Sequence, residues 1–458
     1  MTLLRTRLKP SRTKPKNARA TALLTLLDVD QGRFPEESLD KYNAGLNQRD
    51  RALAAALVYG VLRHRLRLEW ILKQFLTHPG KPLDPVVRGS LLIGLFQITY
   101  LDRVPNSAAV NESVNLTRTY GPPDSSKLVN GVLRAITRAG KMPDPGETDL
   151  SPHEKLSVVF SHPDWMVKQW VDRLGMDEAS KVLEANNQFP PLTLRVNTAR
   201  IPRNDLAARL KERLDLVEPT PFSPYGLRVH GSTGIVSKLP GFSEGFFTVQ
   251  DEASQIAALL AGPGKGERAL DACAGRGGKS MSMASKAAKN SSIWALDPDR
   301  KQLGMIQPEA IRLGLKPLRI IHGSLLENPF KAESFEVVLV DAPCSNLGAI
   351  RRRPDVKWLK FEPDIKHLSE LQLKLLRAAA RLVTPRGRLI YSVCTSTLEE
   401  TIDVVDRFTA GTPGFKVVPI RDFLPRSAHP LAGDGDTLQT WPHLHQMDGF
   451  FMAILSRN

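Results

Sequence analysis

From residue 246 onward the chain is paced by short apolar runs: Ala269-Leu-Asp-Ala272, Ile293-Trp-Ala-Leu-Asp297, Leu318-Arg-Ile-Ile321, Val337-Val-Leu-Val-Asp341 and Arg388-Leu-Ile-Tyr-Ser392. Stretches with helical spacing separate them. Strands that are apolar on both faces and joined through helices belong to a mostly parallel sheet covered on two sides. The rhythm therefore predicts an α/β doubly wound, Rossmann-like domain over 246–458. In such a sheet ligands bind beyond the carboxyl ends of the strands, so the residues at those ends are where chemistry is expected.

The rest of the chain is built differently. Residues 18–140 read as an all-helical domain, with helices over 53–62, 68–76, 86–101, 107–120 and 125–139. Asp50, Asp84 and Ser125 stand as helix caps, and Pro79, Pro82, Pro105, Pro122 and Pro123 mark the joints. The stretch Lys141-Met-Pro-Asp-Pro-Gly-Glu147 reads as a linker. Residues 150–245 read as a small α+β domain, with a strand at Leu192-Thr-Leu-Arg-Val-Asn197 and a helix over 203–214.

Charge narrows the partner. The chain has 63 Lys+Arg against 48 Asp+Glu, a net +15. Residues 1–145 hold 23 against 12, so +11 falls there and +4 on the remainder. A basic N-terminal third on a nearly neutral body predicts a nucleic-acid partner, with Arg63, Arg65 and Arg67 closing a helical segment of that domain. Residues 1–17 read as a disordered basic arm, because Pro10 and Pro15 interrupt any helix and the apolar core of a signal peptide is missing. No apolar run approaches the roughly 20 residues that cross a bilayer. Only three cysteines occur, Cys273, Cys344 and Cys394, spaced 71 and 50 residues apart. That spacing excludes a disulfide scaffold and close-paired zinc ligands, and a reducing, cytoplasmic setting is expected, with no membrane partner and a monomeric chain.

The first strand runs into Asp271-Ala-Cys-Ala-Gly-Arg-Gly-Gly-Lys-Ser280. Its glycines permit a tight turn close to a ligand, and the following helix offers free N–H groups. A phosphate loop would need Gly where Cys273 stands, and a dinucleotide fingerprint would need Gly in place of Ser280. The second strand ends in Asp297, placed to accept hydrogen bonds from ribose hydroxyls. An acid there without a phosphate-fitting loop points to an adenosine without pyrophosphate, such as S-adenosylmethionine. The fourth strand ends in Asp341-Ala-Pro-Cys-Ser345, followed by Arg351-Arg-Arg353, and the fifth in Ser392-Val-Cys-Thr-Ser396. Cys273 reads as a small buried hydrophobe. Methylating C5 of a pyrimidine requires a nucleophile to add at C6, which either Cys344 or Cys394 would supply as thiolate. Asp341 would hold the base edge, and the three arginines would neutralise flanking phosphates.

At these residues the sequence resembles the Nol/Nop/Sun family of RNA 5-methylcytosine methyltransferases, most closely its bacterial small-subunit rRNA branch, whose N-terminal domain is similar to the antitermination factor NusB. Leu194-Arg-Val-Asn197, Val249-Gln-Asp-Glu-Ala-Ser-Gln255 and Asp448-Gly-Phe-Phe-Met-Ala453 resemble the lead-in motifs and closing strand. The resemblance implies Cys394 as the nucleophile, Cys344 in adduct breakdown and release, and Asp341 on the base. It places S-adenosylmethionine among Asp271, Cys273, Ala274, Gly275, Gly277, Gly278, Lys279, Asp297, Arg300, Ser324 and Asp341. Arg351, Arg352, Arg353 and Lys357 join Arg63, Arg65 and Arg67 as expected RNA contacts, the RNA being unassembled small-subunit (16S) rRNA. Arg276 stands where the family usually has Pro, Ser324 where it has Asp, and Thr401 where it has Asn. Two alternatives share these residues: the same chemistry on tRNA or large-subunit rRNA, and an RNA-binding assembly factor that has lost methylation.

Overall fold

A computed structural model describes residues 15–231, 234–327, 329–433 and 435–458. The basic arm lies almost wholly outside the described residues. The chain divides into two compact units.

The helical unit comprises the chain up to Asn187 together with the segment Arg353–Phe361. Its helices are α1 (Ala18–Asp30), α2 (Pro35–Tyr42), α3 (Gln48–Phe75), α4 (Pro85–Tyr100), α5 (Asn106–Tyr120), α6 (Ser125–Ala139), α7 (Pro152–Phe160), α8 (Asp164–Leu174) and α9 (Met176–Asn187). Leu23, Leu57, Val61, Leu91, Ile93 and Leu133 are fully buried in one core, because helical spacing puts them on the inward faces of their helices. Asp84 caps α4 as expected, its carboxylate accepting from the amides of Val86 and Val87. Two other caps differ. Asn47, not Asp50, caps α3, and Ser125 is already the first residue of α6. Residues 53–62 and 68–76, expected as two helices, belong mostly to the single 28-residue α3. Nothing between them breaks a helix: the segment Arg63-His-Arg-Leu-Arg67 is polar but free of Gly and Pro. The expected α+β domain over 150–245 divides as well, since α7–α9 fall in the helical unit.

The second unit holds two sheets. The smaller is wholly antiparallel in the order β2-β3-β1-β4, from β1 (Leu192–Val196), β2 (Leu216–Pro219), β3 (Gly226–His230) and β4 (Phe247–Val249). Leu206 and Leu210 of α10 (Arg203–Lys211) bury against its Leu194, Val217 and Leu227.

The larger sheet follows α11 (Glu252–Leu260). Its elements are β5 (Arg268–Asp271), α12 (Gly278–Lys286), β6 (Ser292–Asp297), α13 (Arg300–Leu303), α14 (Ile306–Leu313), β7 (Arg319–His322) and β8 (Phe335–Asp341), and then, beyond α15 (Val356–Leu359) in the helical unit's segment, α16 (Glu362–Ala380), β9 (Val383–Val393), α17 (Ile402–Gly411), β10 (Phe415–Val418), β11 (Leu438–Gln439) and β12 (Phe451–Arg457). The order is β10-β12-β9-β8-β5-β6-β7, with β11 also pairing with β12. Strands β5 to β9 run parallel, and β10 to β12 add antiparallel at one side. Ala269, Leu270, Val337, Val338, Leu339, Leu389 and Ile390 are fully buried, as strands covered on both faces require. The order reverses between β5 and β8, and that switch point is where a doubly wound sheet opens a crevice.

Candidate active site

The ends of β5, β6, β8 and β9 are linked to one another here by side-chain and loop contacts. At the end of β5, Ser280 Oγ donates to Asp271 Oδ2 at 2.6 Å, while the buried Oδ1 has no hydrogen-bond partner in the protein. Burial, with the nearby Asp341 charge, pushes the Asp271 carboxyl up to about 6. The loop that follows turns through left-handed glycines, Gly275 at φ 53° and Gly277 at φ 76°, conformations that side chains strain to adopt. Ala274 and Gly277 close it with a 2.8 Å backbone bond, and Gly278 opens α12. Gly275 N–H donates to Asp297 Oδ2 at 2.8 Å, so the first loop and the second strand end are tied together. An orphaned buried carboxylate oxygen, an acid at the end of β6 and glycine backbone between them suit S-adenosylmethionine, which carries an ammonium group and a ribose.

The remaining nominees divide. Cys273 is half-buried, and burial with the Asp271, Asp341 and Asp297 charges pushes its thiol up, as suits an inert filler. Arg276 and Arg300 are exposed, Arg300 in the first turn of α13. Ser324 Oγ accepts the Leu326 amide at 3.2 Å and so caps a short turn after β7.

Asp341, at the end of β8, is held from two sides. Lys279 of α12 pairs with its Oδ2, and Ser392 of β9 donates to its Oδ1. Burial alone would lower the Lys279 ammonium, but Asp341 outweighs it and holds the ammonium raised. Cys344 Sγ and Cys394 Sγ, brought from β8 and β9 across 50 residues, lie 3.3 Å apart. Cys344 is buried, and its hydrogen bond with Cys394, together with burial, raises its thiol well above the ordinary range. Cys394 is only half-buried.

The framework behind the two sulfurs explains residues that carried no role before. Glu400, fully buried, accepts from Ser345 N–H at 2.9 Å, Gln372 at 3.0 Å, Thr395 at 3.3 Å and Thr397 at 3.0 Å, linking both cysteine loops to one carboxylate. Gly348 N–H donates to the Cys394 carbonyl at 3.0 Å, and Gly449 N–H to the Gly348 carbonyl at 2.8 Å. A Cβ on Gly348 would stand 1.8 Å from the Gly449 oxygen, so this close approach requires glycine. Asn346, whose Oδ1 lies 2.9 Å from Cys394 Sγ, had not been singled out. Its position directly after the Cys-Ser pair was the available signal.

Most of the cations expected on RNA already have partners within the protein. Arg352 bridges Asp251 at 2.7 Å and Asp448 at 3.0 Å, and Arg351 meets the same two acids at 3.6 and 3.0 Å. Their charge is spent on pinning the loop after Cys344 to the start of α11 and to the lead-in of β12. That also accounts for the motifs at 249–255 and 448–453. In the helical unit, Arg353 pairs with Asp355 and Glu36, and Arg65 with Asp30 and Glu69. Arg63 is 3% exposed, and Arg67, half-buried, reaches the Val159 carbonyl at 3.4 Å. Lys357 is fully buried, its ammonium donating to the carbonyls of Arg63 at 2.7 Å and Ser161 at 2.8 Å and to Asn187 Oδ1 at 3.1 Å. Arg65, Arg351, Arg352, Arg353 and Lys357 are thus engaged within the protein. The exposed basic side chains of the helical unit lie elsewhere, among them Arg118 on α5 and Lys127, Arg134 and Arg138 on one face of α6. No helix among the described residues is long and apolar enough to cross a membrane.

Known proteins agree with this architecture. The family model for 16S rRNA methyltransferase RsmB/F matches residues 257–456, that of the NusB family residues 16–138, and a ferredoxin-like RsmF/B domain residues 162–235. A probable ribosomal RNA small subunit methyltransferase B of Bacillus subtilis is 34% identical across 97% of this chain and 99% of its own length. The ribosomal RNA small subunit methyltransferase B of Salmonella typhi is 32% identical across 96% and 99%. The crystal structure of PH0851 superposes with a TM-score of 0.79 at 25% identity, covering 97% of this chain and all of that one. With the crevice, the paired cysteines and relatives matched from end to end, the chain belongs to the RsmB/F family of small-subunit ribosomal RNA methyltransferases.

Proposed function

We propose that this enzyme methylates C5 of a specific cytosine in 16S rRNA through a covalent cysteine–C6 adduct. The observation that carries the reading is the pair of sulfurs 3.3 Å apart, drawn from two adjacent strand ends beside Asp341. C5 of cytosine is not nucleophilic until C6 is attacked, and one thiolate is enough for attack. A second thiol at contact distance has a separate use in releasing the adduct. The target base leaves its stack to enter the crevice. Asp341, its carboxylate oriented by Lys279 and Ser392, steadies the N3/N4 edge while Cys394 adds to C6. S-adenosylmethionine supplies the methyl group that C5 accepts. Loss of the C5 proton then re-forms the ring double bond and expels Cys394, helped by Cys344. The exposed basic residues of α5 and α6 are suited to the RNA backbone.

The deciding experiment incubates Cys344→Ala with unmethylated 16S rRNA and cofactor. A protein–RNA band that survives denaturing electrophoresis is expected, and Cys394→Ala should give none. An adduct with the Cys394 variant instead would reverse the two roles, and none with either would remove the covalent mechanism.

Cofactor binding should also respond to pH. The Asp271 carboxyl, raised to about 6, is mostly neutral at low pH and then offers little to a cationic ligand. Calorimetry is expected to find S-adenosylmethionine roughly tenfold weaker near pH 5 than near pH 7.5. Asp271→Asn should bind weakly and show no such dependence.

A further inference from the structure

Asn346, two residues after Cys344, stands where the chain turns left-handed, at φ 62°. Asn and Gly are the residues most at ease in that conformation, so the backbone alone would be served by either. The carboxamide does more. Its Nδ2 donates to the Cys344 carbonyl at 3.2 Å, and a carbonyl can only accept. That contact fixes which end of the amide points where, and it turns Oδ1 toward the sulfurs. Oδ1 lies 2.9 Å from Cys394 Sγ and 3.9 Å from Cys344 Sγ. An amide oxygen has no hydrogen to give, so the hydrogen in the shorter contact belongs to the thiol.

We infer that Asn346 is a positioning residue that holds the hydrogen of Cys394 Sγ and aims that thiol, keeping the nucleophile in check until substrate enters. The inference rests on Cys394 being the attacking group, but its test does not need methylation. Other groups facing Cys394 set the background. Cys344 Sγ touches it, the Lys279 ammonium interacts with it from α12, and Asp341 and Asp271 act on Lys279. Glu400 acts on Cys344 from behind the loop. None of these accepts a hydrogen from Cys394 at a distance as short as Asn346 does.

The test is the rate at which iodoacetamide alkylates Cys394 in the free, full-length enzyme, followed by peptide mass spectrometry from about pH 6 to pH 10. Asn346→Gly removes the amide and suits the left-handed backbone. It is expected to speed alkylation about three- to tenfold near pH 7, since a neutral hydrogen bond of ordinary strength is lost. The difference between the two proteins should shrink as the pH rises, because a thiolate has no hydrogen for the amide to hold. Asn346→Asp puts an anion beside the sulfur and should slow the reaction near pH 7. A gain of equal size at every pH would mean only that the side chain blocked access, and an unchanged profile would likewise overturn the proposal. If the alkylation profiles behave as expected but Cys394→Ala still forms the RNA adduct, the fault lies with the choice of nucleophile and not with the role of Asn346.

Discussion

Cys394→Ala is expected to lower methyl transfer to unmethylated 16S rRNA by on the order of 10⁴-fold or more, while S-adenosylmethionine still binds. Losses of that size follow when a sole nucleophile is removed, because no other group can take over its bond-making. The structure gives two physical reasons for naming Cys394 over Cys344. Cys344 is buried and hydrogen-bonded to its neighbour, which raises its thiol and disfavours the thiolate. Cys394 is half-buried at the end of β9, with the Lys279 ammonium as an electrostatic neighbour and Asp341 across the strand pair. Radiolabelled methyl incorporation measures the loss, and calorimetry with cofactor checks that the crevice is intact. Retention of more than about a tenth of the activity would dismiss Cys394 as nucleophile.

Much of the catalytic unit was legible because its signals are local. The five runs from Ala269 to Ser392 are apolar for a reason that neighbouring residues reveal: strands buried on both faces cannot alternate. Strand ends then follow from strands, and Asp271, Asp297, Asp341 and the two cysteines come with them. What was not legible depends on distant partners. Arg351 and Arg352 look like a solvated basic run until Asp251 and Asp448 are placed beside them from about a hundred residues away in either direction. Lys357 sits in a charged, Pro-flanked stretch and was expected on RNA, yet three oxygens from α3, the end of α7 and α9 receive its ammonium. Glu400 is a buried hub directly after the exposed Glu399, and the local sequence does not tell the two acids apart. Charge counts give a net sign; they do not say which charges are already paired. Five of the +11 charges belong to residues 1–14, outside the described residues; among the described ones, exposed cations of the helical unit such as Lys127, Arg134 and Arg138 on α6 stand where Arg63 and Arg65 were expected.

Arg352→Ala separates those two uses of a cation. As a structural bridge, Arg352 neutralises two buried carboxylates at once, in contact with Asp251 at 2.7 Å and Asp448 at 3.0 Å. Burial and the Asp251 charge already push Asp448 up, whereas Arg352 and Arg351 pull Asp251 down against its own burial. With Arg352 gone, Arg351 remains to serve both acids. Breaking a buried pair from one side costs about 3–5 kcal/mol, and for a unit of this size each kcal/mol is worth roughly 2–4 °C of Tm. A fall in Tm on the order of 10 °C at neutral pH is therefore expected by calorimetry or circular dichroism. The penalty should shrink toward pH 4, because a further raised Asp448 carboxyl protonates and no longer needs a partner. Arg352→Ala combined with Asp448→Asn should be more stable than Arg352→Ala alone, since one uncompensated charge has been removed with the other. An RNA-contacting arginine would behave in the opposite way: Tm would stay within a degree or two, RNA affinity would fall, and Asp448→Asn would rescue nothing.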